Sequence, residues 1–160
     1  ADDKLKKQIA LIEETGAVLC CTARELVTPD GKRTGRVIPV KKEITYRQLL
    51  THNSINCSSV LIRSEVMKQY EMGHEDSHED YILWLQILEK HQKACGINEP
   101  LLKYRLSSTG KSGNKLQSAK MTYRVYRYIG MGPVAASWYF CNYAVHGVWK
   151  YLTARIRRTS

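Results

Sequence analysis

The chain has 160 residues, 43% hydrophobic and 25% charged, a composition ordinary for a soluble globular protein and enough for one modest domain with a real core. Its net charge of +10 is unevenly placed: residues 1–99 hold 14 Lys/Arg against 15 Asp/Glu, whereas residues 100–160 hold 11 Lys/Arg and no acid. Five cysteines, an odd number with no CxxC pair and no Cys/His cluster, exclude a zinc site of ordinary spacing. With opening residues too charged for a secretion signal, they read as reduced cytoplasmic thiols.

The elements follow in chain order. Apolar residues at helical spacing (Leu5, Ile9, Leu11 or Ile12) predict a helix over residues 4–14, with Gly16 as its cap. Residues 17–27, rich in Val, Leu, Cys and Thr, predict a strand. The turn Pro29-Asp30-Gly31-Lys32 then leads to a second strand over residues 36–40, so the pair forms a hairpin. A short helix is expected over 45–51, a strand over 56–63 and a short helix over 65–69. A polar loop spans 70–77. Residues 79–93 predict a helix stopped by Gly96, and residues 97–106 a strand with Pro100 at an edge or bend. A Gly/Ser/Lys loop covers 107–114. Two helices, over 115–129 and 134–157, are separated by Gly130-Met131-Gly132-Pro133. This order predicts a mixed α/β layer followed by a helical tail.

The segment His78-Glu79-Asp80-Tyr81-Ile82-Leu83-Trp84-Leu85 carries the most specific chemical signal. It puts two carboxylates in the first turn of a helix, with Tyr81, Trp84, Leu85 and Leu88 on one face. One reading is structural: Ser77 three residues before Asp80 resembles a capping box, and acids in a first turn complement the helix dipole, which would hold them ionised. The other is chemical, since an ionised carboxylate at the rim of a packed helix is what a general base requires.

These stretches resemble the carboxy-terminal half of bacterial family 2 glycosyltransferases of the GT-A fold. E-D-Y-x-L-W-L is preceded by N-x-I-x-x-S-S-V-x-x-R (Asn53, Ile55, Ser58, Ser59, Val60, Arg63) and followed by E-P-L-x-x-Y-R (Glu99, Pro100, Leu101, Tyr104, Arg105). Lys4-Leu5-x-Lys7-Gln8-Ile9 resembles the family's K-L-x-K-Q helix, and the order agrees over residues 4–115. The resemblance implies a partial GT-A-like sheet and an inverting sugar transfer from a nucleotide-sugar donor to a glycan or lipid-linked acceptor, as in lipopolysaccharide and other cell-surface polysaccharide assembly. Asp80 matches the catalytic base. Glu79 would orient the acceptor or hold Asp80. Trp84 and His78 match the acceptor side, although Trp84 reads equally well as core. Arg105, Lys111 and Ser112 match a loop that can close near the donor diphosphate, and a solvated basic loop is the plainer alternative.

The sequence also departs from the family pattern. The family's donor-binding half, with its D-x-D motif for Mg²⁺ or Mn²⁺, has no counterpart here, so no metal ligands are assigned and the chain alone is expected not to turn over. Asp2-Asp3 reads as the polar lead-in to the first helix. His74-Glu75-Asp76 repeats the H-E-D of residues 78–80, which leaves open a metal site in the loop, or Asp76 as the base. The organisation expected is an acceptor and catalytic part over residues 1–115 and a basic amphipathic helical tail over 116–160.

That tail carries a stripe, Val134, Trp138, Cys141, Val145, Trp149 and Leu152, with Lys150, Arg155, Arg157 and Arg158 near its end. Residues 134–149 fall short of the ~20 apolar residues that cross a bilayer. Aromatics with basic residues on such a helix suit the surface of an anionic membrane, as a peripheral protein on its inner face. Two other readings stand beside the transferase. One is a basic nucleic-acid-binding module, with Tyr123, Tyr126 and Tyr128 stacking on bases; it leaves Glu79-Asp80 unexplained, so no nucleic acid is expected. The other is a non-catalytic membrane-associated scaffold of the same shape.

Overall fold

A computed structural model describes residues 2–106 and 115–156, with side chains described over 2–106 and 116–145. The first helix, α1, is Lys4–Thr15 and ends at Gly16, whose φ of 66° takes the left-handed cap. Its buried seam is not the one the apolar spacing suggests. Leu5 and Ile9 are exposed, while Gln8 and Ile12 face inward. The Gln8 amide explains the difference: it donates to Cys20 O at 2.9 Å and Ser59 O at 3.0 Å, and a satisfied amide can be buried where an orphaned one cannot.

Strand β1 (Leu19–Val27) runs through the middle of the sheet and is buried at eight of its nine positions. Strand β2 (Arg33–Ile38) pairs antiparallel with its second half, starting earlier than expected. A three-residue strand, β3 (Glu43–Thr45), was not expected; it runs directly into α2 (Tyr46–Thr51), where Thr45 and Gln48 form a reciprocal capping box. The predicted strand over 56–63 is instead a 3₁₀ turn, Cys57–Ser59, followed by the short strand β4 (Leu61–Ile62) on β1. Then come α3 (Ser64–Met67), α4 (Glu79–His91) and β5 (Lys93–Arg105), followed by α5 (Lys115–Tyr128) and α6 (Pro133–Ile156).

The sheet order is β2-β1-β5-β3, with β4 also on β1; β1 and β5 are parallel and the remaining pairs antiparallel. The chain therefore forms the mixed α/β sheet flanked by helices that its sequence predicts, with five strands among the described residues where the sequence suggests four. Pro100 sits opposite Ala23 with a register shift on either side, so the bend expected at this proline is a bulge in the central pair. Helix α4 stops at His91 through Gln92, whose φ is 69°, and not at Gly96. Gly96 instead lies inside β5. A Cβ there would fall 2.2 Å from Lys41 O, so only glycine fits the close approach of the preceding loop.

Alternation along β1 splits the interior into two layers. Cys20 faces α1, in a small cluster with Ile12, Ala17 and Cys95. Leu19, Cys21 and Ala23 face the main core, built round α4 and shared by Leu49 and Leu50 of α2, Val125 and Tyr126 of α5 and Ala136 of α6. Two tyrosines fasten this core. Tyr81 OH donates to Leu49 O, which also accepts from the His52 N–H at 3.2 Å, and Tyr126 OH donates to Leu50 O; both hydroxyl bonds are 2.6 Å and bind the last turn of α2 to α4 and α5. Replacing Tyr126 with Phe orphans a buried carbonyl. We expect a loss of about 1–3 kcal/mol and a thermal midpoint lower by roughly 3–10 °C. Tyr128→Phe, which removes only an exposed bond to Asp76, should shift it by no more than about 2 °C. Equal shifts in the two variants would refute the role given to Tyr126.

Candidate active site around Asp80

Helix α4 begins at Glu79, which puts Glu79 and Asp80 in its first turn. The capping-box reading does not hold. His78 is the cap residue and makes no side-chain cap bond. Ser77 is buried, with its hydroxyl donating to Met121 O at 2.9 Å. Asp80 is partly buried, and the Tyr81 N–H donates to its Oδ1 at 2.8 Å. Burial lifts the Asp80 carboxyl above the usual carboxylate range. The Tyr81 N–H and His78 oppose this, and the like charge of Glu79 adds to it. At this helix start the effect of burial therefore outweighs the Tyr81 N–H and the other contacts that favour the charged form.

Two further elements carry side chains that feel the charge of Asp80, and a third reaches the neighbouring His78. From the 3₁₀ turn comes Cys57, an exposed residue whose thiol is pushed up by burial of its inner side and by the charges of Asp80 and Glu79. From α6 comes Tyr143. Burial raises its phenol, a hydrogen bond with Thr122 opposes the shift and the Asp80 charge adds to it. The Tyr143 ring lies 6.3 Å from Tyr81 and 6.4 Å from His52. From α5 comes Ser118, whose Oγ is 3.4 Å from His78 Nε2. The sequence reading singled out none of Cys57, Ser118, Thr122 or Tyr143. Cys57 at least lies inside the N-x-I-x-x-S-S stretch. Tyr143 reaches the site only because α6 folds back on the core, which no local pattern reveals.

The remaining candidates are dispersed. Trp84 is 2% exposed and belongs to the core, with its indole N–H buried and without a partner; this is the packing alternative to stacking on an acceptor. Arg105 donates to Pro29 O at 3.3 Å, so its described contact is with the β1–β2 turn and not with the Asp80 cluster. Lys111 and Ser112 lie outside the described residues, as do Arg157 and Arg158. The first H-E-D is structural. Asp76 accepts from Arg124 at 2.9 Å and from Tyr128 OH at 3.0 Å, and His74, at φ 65°, stacks on Tyr128 at 3.7 Å. Asp76 is thus committed to α5, while Asp80 stands among the side chains named above. Among the described residues no three His, Cys, Asp or Glu side chains converge to hold a metal ion.

The stretches that carried the resemblance prove to be joined to one another. Lys7 pairs with Asp3 and with Glu99, Gln8 bonds across to Ser59, and Arg63 Nε donates to Ala17 O at 3.4 Å. The K-L-x-K-Q helix therefore ties down both the segment that supplies Cys57 and the E-P-L stretch of β5.

No family model and no solved structure matches the chain. Curated relatives do. The teichuronic acid biosynthesis glycosyltransferase TuaG of Bacillus subtilis is 34% identical over 151 residues, which is 94% of this chain and 60% of that protein. Two Escherichia coli UDP-Glc:alpha-D-GlcNAc-diphosphoundecaprenol beta-1,3-glucosyltransferases are similar as well. WfgD is 29% identical over 151 residues (93% of this chain, 58% of that protein), and WfaP is 30% identical over 148 (92% and 58%). The chain spans less than two thirds of the length of each. Along nearly its whole length it is therefore homologous to bacterial glycosyltransferases, and it corresponds to about three fifths of such a protein.

Proposed function

We propose that this chain is the acceptor-side, catalytic portion of an inverting family 2 glycosyltransferase with a GT-A-like fold, and that Asp80 is its general base. The supporting observation is the environment of Asp80. It is a partly buried carboxylate at the leading edge of a locked helix, within electrostatic reach of His78, Glu79, Cys57 and Tyr143. In the reaction the ionised carboxylate takes the proton of an acceptor hydroxyl as that oxygen attacks the anomeric carbon. The bond from that carbon to the nucleoside diphosphate breaks, and the diphosphate leaves with the electron pair. Burial suits this role, because a base lifted above the ordinary carboxylate range accepts a proton more readily. Glu79 and His78 orient the acceptor and tune Asp80.

Relatives named for transfer from UDP-glucose to a diphosphoundecaprenol-linked sugar support a nucleotide-sugar donor and a lipid-linked acceptor, and with them a place at the cytoplasmic face of the membrane. Mg²⁺ or Mn²⁺ in a complete enzyme would neutralise the departing diphosphate. The described residues offer no three-ligand set for it, and no step here runs through a metal. The nucleic-acid reading loses support at its stacking residues: Tyr126 is fully buried, Tyr123 packs edge-on against Phe140 at 6.1 Å, and Tyr128 is stacked on His74.

Two measurements test the assignment, in the chain fused behind the amino-terminal segment of a relative such as TuaG, with a UDP-sugar and a lipid-diphosphate saccharide. Asp80→Asn should lower kcat by about 10²–10⁴ while donor binding is retained. The variant should stay folded at pH 7. A raised carboxyl pKa means that ionising Asp80 disfavours the native state above that pKa, and asparagine removes this burden. Turnover unchanged in Asp80→Asn would exclude Asp80 as the base. Secondly, kcat/KM should rise with pH through the Asp80 ionisation, with its acid limb above the ~3.9 of a free aspartate. An acid limb at or below that value, or one that persists in Asp80→Asn, would assign the ionisation to another group.

A further inference from the structure

Helix α6 is apolar on two opposite sides. Ala136, Tyr139, Phe140 and Tyr143 pack against the main core. On the other side Val134, Trp138, Cys141 and Val145 fall within an arc of roughly 60° at 3.6 residues per turn. Their exposures are 84% for Val134, 69% for Trp138 and 64% for Val145, and Cys141 is exposed too. The apolar surface continues round the helix start, where Gly132, Pro133, Val134, Ala135, Trp138 and Tyr139 line a shallow depression. A helix with two apolar faces needs a partner on both, and the core supplies only one.

Charge identifies the second partner. The segment from residue 100 onward holds 11 Lys/Arg and no acid. Beyond Val145 the sequence continues the same spacing with Trp149 and Leu152, interleaved with Lys150 and Arg155. A second copy docking on this face would bring two carboxylate-free segments together and be repelled. A bilayer rich in anionic lipid would be attracted, at about 1 kcal/mol for each basic residue near its surface. Tryptophan, with an apolar ring and a polar N–H, suits the headgroup boundary. Among the described residues no helix is long and apolar enough to cross a membrane, so the geometry is that of a helix lying in the surface plane.

We propose that the outer stripe of α6, Val134, Trp138, Cys141 and Val145, docks the chain on an anionic membrane surface and thereby presents the Asp80 site to an acceptor held at that surface. The second half of this statement rests on the transferase reading; the docking does not. The orientation follows from the two faces of α6. Tyr143, on the inner face, packs on Tyr81 beside Asp80, so docking by the outer face sets that neighbourhood about one helix diameter, ~10 Å, from the lipid boundary. An acceptor anchored in the lipid would be held near that site, and a water-soluble acceptor needs no such placement.

The test is flotation of the 160-residue chain with vesicles of phosphatidylglycerol and phosphatidylcholine, and with phosphatidylcholine alone. The chain should float with the anionic vesicles, less so at high salt, and remain below with the neutral ones. The variant V134Q/W138Q/V145Q should partition at least about tenfold more weakly, while Asp80→Asn floats like the parent. Brominated phosphatidylglycerol should quench the tryptophan fluorescence of the unaltered chain, and quench Trp138→Phe less, which tests the same contact without a variant that disturbs folding. Equal flotation of parent and triple variant, no quenching, or a dimer that only the triple variant dissolves would overturn the docking. Because flotation needs no turnover, its failure is separate from a failure of Asp80 as base.

Discussion

Seven residues of α4, Tyr81 to Leu85 with Ile87 and Leu88, have side chains no more than 3% exposed. A helix enclosed on nearly every side has little freedom to rotate or slide, because each alternative leaves cavities or clashes in a close-packed interior. Apart from the half-buried Gln86, the polar side chains it shows to solvent lie at its ends. Tyr81, Leu49, Tyr126 and Leu50 add a polar lock, through two short hydroxyl–carbonyl bonds that join α2, α4 and α5. The position of Asp80 is set by this packing. The buried run of α4 begins one residue after it, and the 3₁₀ turn and α6 bring Cys57 and Tyr143 within reach of its charge.

The same packing sets the chemistry of that carboxylate. An exposed acid in a first helical turn gains about 0.3–1 kcal/mol from the dipole and stays ionised. Asp80 receives the dipole and the Tyr81 N–H, yet burial still dominates and lifts its pKa. Asp76, four residues earlier in the same H-E-D pattern, lies on the surface and is bound by Arg124 and Tyr128. Two copies of one tripeptide thus serve different ends. One is spent on anchoring a loop. The other makes no ion pair among the described residues and is partly desolvated, so its environment differs from that of a surface anchor.

Much of this was legible in the sequence wherever the signal is local. Periodicity gave α1, α4, α5 and α6 within a few residues of their bounds, and the turn chemistry of residues 29–32 gave the hairpin. What failed depends on distant partners. Residues 56–63 are rich in strand formers, but only Leu61 and Ile62 find β1, and the rest turn aside to bring Cys57 to the site. Gly96 reads as a helix stop until Lys41 O is seen pressed against it. Gln8 reads as a surface residue until its two carbonyl partners, 12 and 51 residues away, are in place. At the site, Asp80, Glu79 and His78 were named from one helix start, whereas Tyr143 and Ser118 arrive by tertiary folding alone.

That dependence on distant partners also explains why several weak motifs in register count for more than their number. Lys7 reaches Glu99, Gln8 reaches Ser59, and Ser77 reaches Met121, so each stretch is held by another 44 to 92 residues away. A change in one would misplace the others, and through them the turn that carries Cys57 and the helix that carries Asp80. Similarity confined to one motif would be compatible with a local helix cap. Similarity that extends over 92–94% of the chain is what such mutual bracing requires. Helix α6 is the informative exception. Its inner face is braced in the same way by the core, but its outer face is left largely exposed by the described residues. An apolar surface that this packing leaves open, in a segment free of carboxylates, is the ground for the proposed anionic partner.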